Sequence, residues 1–287
     1  MLKKLISGSL SQKQKIAVKA GYHRIRLSLI NSFMSYGTES LKAKLRGMGI
    51  KETDTLLVHS NSNPESGFKG APADVANALT ELVGIKGNLL MVSIPFRGSA
   101  YDHLMKGKTF HRDKTISMMG LITEIFRRKK GVLRSLHPTH PVLAFGKDSE
   151  WIVSGHEECR YPCGAGSPFD KFRQLGGKIL FYDVDFGAIT FFHYVEDITR
   201  DNLPFKVYDD KLFSVKAHDG KGERVIETYA FNKDIVRNAR KLEDEMKKKG
   251  LVKYGRIGNS RLILADSSDV VACHTAMVAE GNFPYNL

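Results

Sequence analysis

Long apolar runs are missing from this sequence. None reaches the ~18 residues that a bilayer-spanning helix needs, so no segment reads as transmembrane. No early apolar stretch leads into the small residues of a secretory cleavage site. Cysteine is scarce: Cys159, Cys163 and Cys273 form an odd, sparse set. That excludes a disulfide framework and makes a reducing cytoplasm the expected compartment. No Gly-Lys-Ser or Gly-Lys-Thr follows a glycine-rich turn, which excludes a Walker loop, and the glycine spacing of a dinucleotide fingerprint is absent as well. No repeat, low-complexity segment or clear interdomain linker stands out. Acid is absent from residues 1–38.

What is present is a chain of 287 residues, 42% hydrophobic, ample for a sizeable core in one large domain or two small ones. The net charge of +13 is unevenly spread: Lys3, Lys4, Lys13, Lys15, Lys19, Arg24 and Arg26 give the first 38 residues +7. Interleaved Ile16, Val18, Ile25, Leu27 and Leu29 ask for a packed face. Residues 1–38 therefore read as a basic helical extension and 39–287 as the functional domain. Such a leader lies on its domain or touches an anionic surface, nucleic acid or membrane. The modest charge elsewhere and the lack of a basic–aromatic stacking motif argue against nucleic acid as a partner. Weak membrane-surface contact and a homodimer stay open.

Strand-like and helix-like segments alternate. Thr55–His59, Leu89–Ile94, Val142–Phe145, Lys178–Asp183 and Arg261–Ala265 read as strands. Helices are expected from Leu41 to Met48, from Pro72 onward, and over Met119–Arg128, Pro168–Leu175, Thr190–Thr199 with Thr190 as cap, Asn232–Lys249 and Asp266–Ala279. Residues 95–117 read as one long irregular connection. Residues 206–229 suggest short antiparallel strands with turns at Asp209-Asp210 and Asp219-Gly220. The alternation predicts a layered α/β domain.

Several constellations bear chemistry. In Thr190-Phe-Phe-His193-Tyr-Val-Glu196, the histidine and glutamate are three residues apart and share one helix face. An imidazole can accept a proton near neutrality, and a carboxylate beside it can orient it or bind an amine. Spacing alone favours a helix-surface pair. Arg134-Ser-Leu-His137-Pro-Thr-His140 is a dense polar turn whose arginine suits phosphate oxygens, or a loop whose histidines bond carbonyls. Cys163-Gly-Ala-Gly-Ser-Pro168 opens a helix, a place where anions can bind. His156, Cys159 and Cys163 lack a convincing fourth metal ligand, so no metal is expected.

The order of landmarks carries more than any one of them. Val58-His-Ser60, Gly70, Met119-Gly120 with Glu124-Ile-Phe-Arg127, Gly131-Val-Leu-Arg-Ser-Leu-His-Pro138, Gly166-Ser-Pro168, Thr190-x-x-His193-x-x-Glu196 and Gly255-Arg-Ile-Gly-Asn259 follow one another. From about Glu39 to Val271 this resembles the aminoglycoside 3-N-acetyltransferase family, also called antibiotic N-acetyltransferases. The resemblance implies a three-layer αβα domain with a mixed central sheet, distinct from the GNAT fold. It implies acetyl-CoA or another acyl-CoA as donor, an amine-bearing acceptor, and direct transfer. His193 would be the general base and Glu196 its neighbour. His59, Ser60 and Asn61 would line the thioester and pantetheine arm, Arg134 and Ser135 the coenzyme phosphates. Gly70, Ser117 and His137 complete the implied coenzyme site, and His111, Asp113 and Thr190 the acceptor site.

One departure bears on the acceptor. Where the family often carries Phe-Asp-Pro or Phe-Glu-Pro, this chain reads Phe110-His-Arg-Asp113. A polycationic aminoglycoside needs carboxylates around it. Histidine and arginine there predict an acceptor with one amine and a negative group, such as a nucleotide-linked amino sugar.

Overall fold

The computed structural model describes residues 11–286. Helix α1 (Gln12–Phe33) opens on a capping box between Ser11 and Gln14. Next come α2 (Thr38–Gly47), β1 (Thr55–Ser60), α3 (Pro72–Val83) and β2 (Asn88–Val92). Pro72 sits in the first turn of α3, where its missing N–H costs nothing. Short pieces follow: α4 (Ala100–Met105), β3 (Phe110–His111), α5 (Leu121–Arg127), β4 (Leu133–Arg134), β5 (Val142–Gly146) and α6 (Ser149–Val153). The second half runs α7 (Pro168–Gln174), β6 (Lys178–Tyr182), α8 (Phe192–Ile198), then the hairpin β7 (Tyr208–His218) and β8 (Glu223–Phe231). It closes with β9 (Val236–Arg237), α9 (Ala239–Lys248), β10 (Val252–Ile257), β11 (Ser260–Asp266), α10 (Ser267–Ala279) and β12 (Tyr285–Asn286).

Seven strands form one sheet in the order β10-β11-β6-β1-β2-β5-β4. β6, β1 and β2 are parallel at its centre, and antiparallel strands flank them on both sides. Alternation along the strands divides the core. Leu57, Leu90, Ile179 and Phe181 pack under Val195 of α8, Leu242 of α9 and Met277 of α10. Leu56, Val58, Leu89 and Leu180 pack under Leu45, Leu79 and Phe126 of α2, α3 and α5. Both faces are covered, which is why the central strands read as unbroken apolar runs. This is the expected three-layer αβα arrangement. Residues near the expected extension boundary are not free of the domain: Ile30 and Tyr36 are buried, and the Tyr36 hydroxyl lies 2.7 Å from that of Tyr182 and 2.8 Å from Ser260 Oγ.

Four local expectations need correction. Residues 95–117 are not wholly irregular. They hold α4 and β3, and β3 pairs with β7, Phe110 opposite Ala217 and His111 opposite His218. Asp209-Asp210 is no turn but lies within β7 at a register shift, and the hairpin turns at Gly220, whose φ of +90° only glycine adopts readily. The helix expected from Asn232 starts at Ala239, capped by Asn238. The residues before it form β9, which pairs with β12 at the far end of the chain. Thr190 does not cap α8; Phe191 takes the cap position without a side-chain bond.

Candidate functional site

Helix α8 is short, and its apolar residues fix its orientation. Phe192, Tyr194 and Val195 are buried against α10 and the sheet, which leaves one edge free for His193. Glu196, one turn on, is fully buried. The two side chains meet: His193 Nδ1 lies 2.9 Å from Glu196 Oε2. The same oxygen accepts a 2.9 Å hydrogen bond from Arg237 Nε. Arg237 Nη1 donates to the carbonyls of Asn232 and Ile235, and its guanidinium lies over the Phe231 ring. Phe231 also stacks on His193, with ring centres 4.2 Å apart, and His140 meets His193 edge-on at 5.6 Å.

The electrostatics define protonation states. Burial raises the Glu196 carboxyl, but hydrogen bonds and charge from His193 and Arg237 outweigh it and hold the group below the usual carboxylate range. Burial pushes His193 down, more than its bond to Glu196 pushes it up, and Arg237 adds to the lowering. His193 is therefore neutral near pH 7. An ionised carboxylate can only accept, so the ring proton is assigned to Nδ1 and the lone pair to Nε2. Glu196 Oε1 and Arg237 Nη2 are buried and have no partner among the described residues.

Two cavities adjoin the pair. One of about 530 Å³ is lined by Phe96, Arg97, His140, His193, Lys233 and Arg237, among others. A second of about 300 Å³ is lined by Ile189, Phe192, His193, Arg237, Asn238 and Arg240, among others. His193 and Arg237 face both. Among the described residues, no Asp or Glu lines either cavity.

The other expected site residues are distributed differently. His59 and Ser60 end β1, and His59 lies on the sheet face that α8 covers, stacked on Phe181. Its Nε2 and Ser60 Oγ are buried without partners among the described residues, and burial lowers the imidazole to about 4. Asn61 and Gly70 line a separate cavity of about 250 Å³ beside Tyr182. Ser117 is buried; its N–H donates to Glu124 and its Oγ accepts from Met119, which shapes the turn that delivers Met119 to the larger cleft. Thr190 is buried, and its carbonyl accepts from the His193 N–H.

Three coenzyme expectations meet a different geometry. Arg134 is buried and donates to the carbonyls of Ser93, Arg112 and Thr115 while lying over Phe110. Its fork clamps backbone, and it borders a cleft of about 440 Å³ with Arg112 and Arg127, not either cavity at His193. Ser135 accepts from the Val142 N–H and lies 2.8 Å from His156 Nδ1. His137 is fully buried, its Nδ1 accepting from the N–H of Thr139 and its Nε2 facing the Cys159 carbonyl. His156, once a metal candidate, is held by Ser135 and the Pro162 carbonyl. On the acceptor side, neither His111 nor Asp113 lines a cavity at His193. His111 lies beside His218, and Asp113 borders a different cleft with Arg112 and Arg127.

Sequence reasoning missed Arg237 altogether. It fell inside a stretch read as charged helix, and the strand that holds it depends on pairing with residues 285–286. Phe231, Arg97 and Lys233 carried no spacing signal, and His140 stood out only as part of a polar turn.

Comparison with known proteins supplies context. The aminoglycoside 3-N-acetyltransferase family profile matches residues 57–279. The aminoglycoside N(3)-acetyltransferase III of Serratia marcescens is 24% identical over 257 residues, 82% of this chain and 94% of that protein. Among solved structures, aminoglycoside acetyltransferase AAC(3)-Xa superposes with a TM-score of 0.78 at 20% identity, covering 92% of this chain and 99% of that one. AAC-IIIb, solved as a binary complex with CoASH, gives 0.73 at 22% identity, covering 88% and 99%.

Proposed function

The chain belongs to the aminoglycoside 3-N-acetyltransferase family and is an acyl-CoA-dependent N-acyltransferase; on that premise we propose that it transfers an acetyl or other short acyl group to the amine of an amino sugar, with His193 as general base. The single observation that carries the reading is the Arg237–Glu196–His193 array at the junction of two cavities. An incoming ammonium must lose a proton before its nitrogen can attack a thioester carbon. His193 Nε2 takes that proton, and Glu196 holds the ring by Nδ1 and stabilises the cation that forms. The amine nitrogen bonds to the carbonyl carbon, the C–S bond breaks, the sulfur takes the second proton shed by the nitrogen so that CoA leaves as the thiol, and His193 returns its proton to water. Holding both substrates against one imidazole supplies much of the remaining acceleration. The unpartnered His59 Nε2 and Ser60 Oγ suit a ligand with polar groups along its length, as a pantetheine arm has.

The acceptor is proposed to be anionic as well as an amine, a nucleotide-linked amino sugar being the chosen candidate. His111 and Arg112 do not support that reading, since neither lines the cavities at His193. Other residues support the same reading. Arg97, Lys233, Arg237 and Arg240 line the cavities on either side of His193, with no carboxylate among the lining residues to meet a polycation. A second reading, acetylation of an aminoglycoside, is favoured by the names of the relatives. Purified protein with acetyl-CoA, scored by free thiol, separates them. Turnover with a nucleotide diphosphate-amino sugar and none with a kanamycin-type drug supports the first. The reverse selects the second, and no thiol with any amine sinks both.

A further inference from the structure

Helix α1 carries an apolar stripe that nothing among the described residues covers. Val18, Tyr22, Ile25, Leu29 and Phe33 are spaced four, three, four and four residues apart, which places them on one side of the helix. All five are exposed, Ile25 at 64% and Phe33 at 82%. A different side holds the helix to the domain: Ile30 is buried, and His23 and Arg26 reach Glu65 at 2.7 and 3.1 Å. The stripe is therefore not a core face that the fold has failed to use.

The charge beside the stripe says what covers it. By helical position, Lys15 and Lys19 run along one edge of it, between the stripe and the Arg26–Glu65 pair, and Lys13 and Arg24 lie on the far side. The helix contains no Asp or Glu. A second copy of the helix laid on the stripe would bring like charges together along that edge, where the nearby Glu65 is already engaged by His23 and Arg26. A nucleic acid would meet the cations but leave the apolar row in water. An anionic bilayer surface answers both features: the apolar side chains enter the headgroup boundary, and the lysines extend to the phosphates. The helix has 22 residues, about 33 Å long, and no described helix is long and apolar enough to cross a membrane.

We propose that α1 lies flat on a membrane surface rich in anionic lipid, the stripe Val18–Phe33 inward and the lysine edge against the headgroups, and so tethers the enzyme there. The test is co-sedimentation of the full chain with phosphatidylglycerol–phosphatidylcholine vesicles and with pure phosphatidylcholine vesicles. Binding is expected to the anionic vesicles, weakened by salt. It should fall by about tenfold or more in Lys15→Glu/Lys19→Glu and in Tyr22→Gln/Ile25→Gln/Leu29→Gln. Thiol release by both variants should match the parent, which shows that they fold. Equal binding to neutral vesicles, or parental binding by either variant, overturns the proposal. So does an absence of vesicle binding, whether accompanied by a dimer that the glutamine variant abolishes or by DNA retention that it leaves intact.

Discussion

His193 has one nitrogen held by Glu196 and the other open to two cavities, so its removal tests chemistry rather than packing. His193→Ala is expected to lower kcat by roughly 10²–10⁴-fold, with CoA affinity changed less than about threefold and the chain still folded, its melting temperature lowered only by the lost bond to Glu196. Turnover at the parent rate would end the base assignment. The protonation argument gives a sign as well. Because burial and Arg237 lower the imidazole, the acidic limb of kcat/KM should have its midpoint below the ordinary histidine value of about 6.5. Arg237→Met removes a positive charge and leaves Glu196 with His193 as its bonded partner, so that midpoint should move to higher pH. A shift to lower pH would mean that Arg237 is not coupled to the base. The His193–Glu196 pair was legible in sequence because two residues three apart on any helix must share a face. The bonds of Arg134 were not legible, because the residue type suggests phosphate while only the fold supplies the carbonyls of Ser93, Arg112 and Thr115.

At the level of elements, the array is assembled from three short pieces: α8, the end of β8, and β9 leading into α9. Asn238 caps α9 by accepting from the Lys241 N–H, and it follows Arg237 directly. Asn238→Ala should cost about 1 kcal/mol of stability and, by loosening the turn behind Arg237, reduce kcat more than KM. A Tm loss with unchanged kcat would confine the cap to a structural role. The sheet has its own sensitive point. Gly146 ends β5 at φ +127°, and a Cβ there would collide with the Gly87 carbonyl. Gly146→Ala should destabilise by about 2 kcal/mol or more, read as a lower midpoint in urea. The long elements were legible because burial repeats along them: the strands of the central sheet, α3 and α10. β3 and β9 were not, since two residues make no period and each exists only through a partner far along the chain.

For the whole molecule, the buried histidines couple stability to pH. Burial lowers His59 to about 4 and His156 to about 3, and holds His137 and His140 well below normal. Between those values and about 6.5 the unfolded chain binds more protons than the folded one. Stability is therefore complete above neutrality and falls as the pH drops through 6.5 towards 3. At pH 5, His59 and His156 together should remove about 4 kcal/mol, a large share of a typical 5–15 kcal/mol. Urea unfolding at pH 7 and pH 5 measures the difference, and equal midpoints would show that these rings are solvated.

The sequence by itself determined the layered α/β class, the alternation that buries both sheet faces, and the adjacency of His193 and Glu196, because each follows from a local period. It also set the acid-free charge of the leader. Tertiary structure alone decided which polar residues face the cleft. Whether Arg134 meets a carbonyl or a phosphate, and whether Arg237 reaches Glu196 from 41 residues away, depends on how distant segments pack. No spacing rule along the chain encodes that.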